Sequence, residues 1–201
     1  MNDFSVALGL VDYFNVLFTG LFYYVLLKNI KPNIDKFLYW VIMIGAMLTV
    51  FFSFCIPTYK VSIGIEHYEY ETPYGILFMT YLGFLISGVG MFIAVFFRNK
   101  NKKLEVLSGA PLAVYQNAVF LAMLGKVLMY ACIIKMAIKR KKWSSLILYA
   151  FSLVLIFIMC YIANFGTIPV AWAHWIVEIV NITCQVALFF GTVILFKERK
   201  H

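Results

Sequence analysis

Six apolar stretches of close to twenty residues, at 5–27, 37–56, 74–97, 114–134, 143–162 and 171–196, leave this chain few ways to fold. A helix needs about twenty apolar residues to cross the hydrocarbon of a bilayer. Because hydrocarbon offers the backbone no hydrogen-bonding partner, each stretch has to be a helix that satisfies its own amides. The expectation is an all-α, polytopic transmembrane helical bundle of about six spanning helices, with residues 1–201 forming a single integral membrane domain.

Composition closes off the alternatives. The chain is 64% hydrophobic and 13% charged, whereas soluble domains are about half apolar and a quarter charged. No polar stretch is long enough for a soluble module, which excludes a nucleotide-binding or DNA-binding domain of ordinary size. The net charge of +8 would suit nucleic acid, but the basic residues sit in short clusters flanking apolar segments. That is the pattern of a cytoplasmic membrane edge, so the expected partner is the lipid bilayer and not nucleic acid. The opening residues, with Asp3 among them, are too few and too acidic for the basic start of a cleaved signal peptide, so the first stretch is read as a retained span.

The links carry their own information. Pro32 and Asn33 turn the chain after the first segment, and the second is expected to stop at Pro57. Residues 58–73 set Glu66, Glu69 and Glu71 against Lys60, which reads as non-cytoplasmic. There Val61, Ile63 and Ile65 alternate with small or polar neighbours, so a short strand or hairpin is expected. His67, Glu69 and Glu71 match no strong metal-ligand spacing, and no metal or other cofactor is expected. In the third segment Gly83, Ser87 and Gly90 form a small-residue groove that lets another helix approach.

Orientation is the most informative step. Lys28, Lys31 and Lys36, then Arg98, Lys100, Lys102 and Lys103, then Lys135, Lys139, Arg140, Lys141 and Lys142, and finally Lys197, Arg199 and Lys200 account for fifteen of the seventeen basic residues. Only Lys60 and the mid-membrane Lys126 stand outside these clusters. If all four clusters are cytoplasmic, segments three and four both run inward, and the chain has to return across the membrane through residues 104–113, too few for a spanning helix. Six alternating spans avoid that return but put the five-charge cluster and the basic tail on the wrong side.

Two observations favour the first arrangement. Tyr13-Phe14-Asn15-Val16-Leu17 is answered by Tyr115-Gln116-Asn117-Ala118-Val119, which suggests two parallel three-helix repeats, 5–98 and 113–200, joined by a short re-entrant or irregular linker at 99–112. In that arrangement the polar residues of segments one, four and six converge in the outer half. The N-terminus is then outside and the C-terminus cytoplasmic.

The chemistry lies in the last segment. After Trp172, His174, Glu178, Asn181 and Gln185 follow at helical spacing on one face. A carboxylate or imidazole at membrane depth faces a bundle interior or a wet cavity and marks a functional site. Asp12, Asn15 and Thr19 make a similar face on the first segment, and the fourth contributes Gln116, Asn117 and Lys126. Buried charges need partners, so Lys126 is expected beside Glu178 or Asp12. His174 and Glu178, four residues apart, can hold or hand on a proton.

The leading reading is an intramembrane polar pocket that binds or translocates a small polar solute, ion or proton, with Asp12, Asn15, Gln116, Asn117, Lys126, His174, Glu178, Asn181 and Gln185 along its pathway. A second reading is a non-catalytic subunit of a larger membrane complex or a homo-oligomer. A third is a membrane-embedded lipid-modifying enzyme with His174 and Glu178 as acid and base. A single histidine at membrane depth argues against bis-histidine haem. Cys55, Cys132, Cys160 and Cys184 lack CxxC spacing and read as buried small residues.

Overall fold

Where an apolar run becomes a helix is set by hydropathy, but where the helix ends is set by local chemistry. The computed structural model describes residues 3–62, 73–97, 118–165 and 170–197. Six helices lie within them: α1 (Asp3–Ile30), α2 (Lys36–Ser62), α3 (Tyr74–Phe96), α4 (Ala118–Lys139), α5 (Trp143–Phe165) and α6 (Val170–Phe196). No strand occurs among the described residues. Four of these helices, α1, α2, α3 and α6, hold stretches long and apolar enough to cross a membrane.

The two described turns are built differently. Between α1 and α2 a single 3-10 turn at Lys31–Asn33 carries Pro32 near its start. Asp35 then caps α2, its Oδ1 accepting the Phe37 N–H at 2.8 Å. Between α4 and α5, Lys141 adopts a left-handed φ of 53°. The Lys141 N–H bonds Ile138 O and the Lys142 N–H bonds Ala137 O, both at 3.0 Å, which together make a Schellman stop.

Two expected boundaries are corrected. Pro57 does not end the second helix; its side chain is fully buried and α2 runs on to Ser62. A proline removes one N–H, but neighbouring helices and hydroxyls can hold such a helix together. Here the Thr58 hydroxyl donates to Phe54 O at 2.8 Å and that of Ser62 to Tyr59 O at 2.9 Å. Val61 is therefore helical, not the start of a strand, and the rest of the expected hairpin lies outside the described residues. Likewise α4 continues past residue 134 to Lys139. Its cations are accommodated because long stems reach past apolar surface: the Lys135 ammonium lies 3.6 Å from the Phe96 ring centre.

The helices pack in a ring that follows chain order, α6 closing against α1. Contacts between residues fix their directions. Tyr13 meets Thr58 while Gly20 faces Val50, so α1 and α2 are antiparallel. Gly45 faces Gly83 and Gly90 faces Ile42, so α2 and α3 are antiparallel too. By contrast Phe84 meets Lys126, Gly88 meets Gly125 and Val95 meets Lys135: α3 and α4 run the same way. Tyr130 to Ser152 and Tyr149 to Thr192 make α5 antiparallel to α4 and α6. Asn15 with Glu178 and Phe18 with Phe189 make α6 parallel to α1. The end of α3 and the start of α4 thus lie at opposite ends of the bundle.

These directions bring Lys28, Lys31, Lys36, Lys135, Lys139, Arg140, Lys141, Lys142 and Lys197 to one end. Toward that basic end the interior is mostly apolar, with Leu26, Ile30, Ile133 and Leu195 all buried. Toward the other end the same face of α1 carries Thr19, Asn15 and Asp12, also buried. Buried hydroxyls occur toward the basic end too, at Ser145 and Thr192, but the buried carboxylate and amide of α1 lie toward the other.

Candidate functional site

On α1, Asp12, Asn15 and Thr19 recur at spacings of three and four, which places them on one face, and each is less than a tenth exposed. On α6 the stripe presents Glu178, Asn181 and Gln185 to the same interior. The two helices run parallel, and the stripes meet where Asn15 faces Glu178. Asn15 Nδ2 donates to Glu178 Oε2 at 2.9 Å. The other atom of that amide, Oδ1, is buried and accepts no hydrogen bond.

Deeper in the bundle lies a cavity walled by Thr19, Lys126, Asn181 and Gln185 among apolar neighbours from α1, α3, α4, α5 and α6. It offers about 20 Å³ to the centre of a water molecule, room for about one water. The Lys126 ammonium stands 5.1 Å from the centre of the Phe84 ring, a favourable placement for a cation in apolar surroundings.

Two tyrosines that also line the cavity anchor its floor. Tyr23 of α1 reaches Ser87 of α3 with a hydroxyl-to-hydroxyl distance of 2.8 Å, beside Thr49 of α2. Tyr130 of α4 reaches Ser152 of α5 and stands 3.8 Å from Cys184 Sγ of α6. Ser152 in turn donates to Cys184 O at 3.1 Å. In each case a tyrosine on one helix bonds a small polar group on a second and stands beside one on a third, which satisfies a hydroxyl that hydrocarbon cannot.

Of the residues singled out by sequence, the structure gathers Asn15 and Glu178 in one bond and Lys126, Asn181 and Gln185 in one cavity, with buried Asp12 one turn beyond Asn15. His174 is on α6 one turn before Glu178, and its side chain lies outside the described residues, as do Gln116 and Asn117 altogether. Gly83 and Gly90 sit against α2, where an added Cβ would come within 2.5 Å of Thr49 N and 2.8 Å of an Ile42 side-chain carbon. Ser87 also packs there, but it bonds Tyr23 as well.

Sequence reasoning missed Tyr23, Tyr130, Thr49, Ser152 and Cys184. A signal for the tyrosines was present: Tyr23 falls four residues after Thr19 and Tyr130 four after Lys126, so each continues a polar face. Cys55, Cys132 and Cys184 are free thiols, and among the described residues no three His, Cys, Asp or Glu side chains gather as a metal site. The cavity gathers one ammonium, two amides and several hydroxyls, while the carboxylates of Asp12 and Glu178 lie outside its lining. No family model, curated protein or solved structure matches this chain, so the chemistry of these residues carries the functional reading.

Proposed function

We propose that this chain is a six-span membrane protein whose polar interior binds or passes a small polar solute, an ion or a proton. The observation that carries the reading is the Asn15–Glu178 hydrogen bond above a cavity walled by Lys126, Asn181 and Gln185. Helix glue requires only that polar groups bond to one another across a seam. Here they also border a space and leave a buried acceptor open.

The proposal includes a topology of two parallel three-helix repeats, α1–α3 and α4–α6, with the basic end in the cytoplasm, the N-terminus outside and the C-terminus inside. Supporting it are the matching down-up-down directions in each half and the tyrosine that bridges the other two helices in each. In this orientation the half that holds Asp12 and Asn15 faces outward. Single cysteines at Asn101, Lys141 and the C-terminus, on a background without native cysteines, should all be labelled from the cytoplasmic side.

The function is tested in proteoliposomes with a trapped pH-sensitive dye and a panel of radiolabelled amino acids, sugars and small ions. At least one should cross faster than in empty vesicles. Glu178→Gln, Asp12→Asn and His174→Gln should each cut that rate tenfold or more while the protein still elutes as a single species. Unchanged rates in all three variants sink the reading.

A further inference from the structure

We infer that Asp12, Asn15 and Glu178 bind a sodium-sized monovalent cation between α1 and α6, at the polar end of the cavity. The first ground is the amide of Asn15, which is 9% exposed. Its Nδ2 is committed to Glu178 Oε2 at 2.9 Å, while Oδ1, on the same planar group, is buried and accepts nothing. A native structure rarely leaves a buried acceptor open, and each such atom calls for a ligand or a role. Turning the amide over would set Oδ1 against the Glu178 oxygen, two acceptors face to face, which only a protonated Glu178 could relieve.

The second ground is the donor set. Asp12 lies one turn from Asn15 on the same inward face and is 6% exposed, and the half-buried Glu178 bonds Asn15, so two carboxylates neighbour one amide. Oxygen-only surroundings suit a hard cation and disfavour zinc or copper. Calcium takes six to eight oxygens, and no third carboxylate joins this pair among the described residues.

The third ground is charge. Away from the helix ends, the described residues at membrane depth carry two carboxylates, Asp12 and Glu178, and one ammonium, Lys126. Whatever pairs with what, that set carries one negative charge in excess, and net charge in hydrocarbon is costly. Among the described residues, one monovalent cation closes the balance. The inference rests on the polar-pocket reading for its use, since a cation beside the solute cavity is what couples ion and solute movement, but binding can be measured by itself.

The full-length protein in nanodiscs at pH 8 is titrated with NaCl, with N-methyl-D-glucamine chloride holding ionic strength constant, and the thermal unfolding midpoint is read by intrinsic fluorescence. The midpoint should rise saturably with sodium, and potassium should need at least tenfold higher concentration for the same shift. Asn15→Ala and Asp12→Asn should both lose the sodium-dependent shift whatever their absolute stability. If Asn15→Ala does not fold, the nearly isosteric Asp12→Asn carries the test. A midpoint indifferent to sodium, an equal response to potassium, or a response to pH alone overturns the site. Sodium-dependent stabilisation without flux of any solute keeps the site and removes the transport reading; flux without sodium dependence or stabilisation does the reverse.

Discussion

The seam that joins α2, α3 and α4 and the seam that joins α1 to α6 are made of opposite materials. Along the first, backbones touch: a Cβ added at Gly45 would come 2.5 Å from Ser87 N, one at Gly125 would come 2.6 Å from Leu85 N, and one at Gly88 would run into Gly125 O. Along the second, side chains meet, with the Asn15–Glu178 bond at 2.9 Å and the Phe18 and Phe189 ring centres 6.0 Å apart. Both seams contain a parallel helix pair, α3 with α4 and α6 with α1. Backbone contact gives dense van der Waals packing and leaves no volume for a ligand. Side-chain contact leaves space, and that is where the polar groups lie.

The greatest loss of stability is therefore expected in the seam where backbones touch. Gly125→Val should destabilise the fold by about 3 kcal/mol, the upper part of the usual overpacking range, because the nearest atoms are backbone and cannot turn aside. Size-exclusion profiles in mild detergent should show aggregate in place of a single peak. Gly75→Ala, with nothing within 4 Å of its new methyl, should be neutral. In the polar seam Glu178→Gln should shift stability by no more than about 1 kcal/mol while removing the function. If Gly125→Val elutes and unfolds like the parent, the contrast between the seams is wrong.

A smaller effect sharpens a second contrast, between the two halves. Removing the hydroxyl of a bridging tyrosine should cost about 1 kcal/mol, the scale of a hydrogen bond within a membrane bundle. In double-mutant cycles, Tyr23→Phe with Ser87→Ala and Tyr130→Phe with Ser152→Ala should give coupling energies that agree within about 0.5 kcal/mol if the tyrosines are equivalent devices. The second pair also touches Cys184, so a coupling confined to that pair would mark the halves as distinct.

Much of this was legible in the sequence because hydropathy and a period of 3.6 residues are local properties. The apolar runs predict the helices, and the spacing of Asp12, Asn15 and Thr19, and of Glu178, Asn181 and Gln185, predicts two polar faces. What the sequence hid depends on partners elsewhere in the chain. Gly45 and Gly125 are lone glycines whose meaning appears only when Gly83 and Gly88 face them. Tyr23 and Tyr130 sit within apolar runs and read as ordinary aromatic side chains, and only the arrival of Ser87 and Ser152 shows what their hydroxyls do. Pro57 misled because proline ends a helix in water, whereas here packing carries α2 past it.

The smallest expected effect has the opposite sign. At the turn between α4 and α5 the chain clamps the end of α6: Lys142 Nζ donates to Lys197 O at 2.7 Å and Arg140 donates to Leu195 O at 3.4 Å. Cations at a helix C-terminus satisfy its open carbonyls and complement its dipole, so this clamp fixes the basic end of α6 while Glu178 sits at the far end. Lys141, between the two clamping residues, holds the left-handed φ of 53° that glycine adopts without strain. Relief of that strain, offset in part by the greater freedom of glycine in the unfolded chain, should leave Lys141→Gly more stable by about 0.5 kcal/mol. The unfolding midpoint in detergent, where no membrane potential or leaflet charge acts on the lysine, reads the backbone effect alone. A fall in the midpoint there would mean that the Lys141 side chain itself supports the clamp, and that the end of α6 is held by three cations, not two.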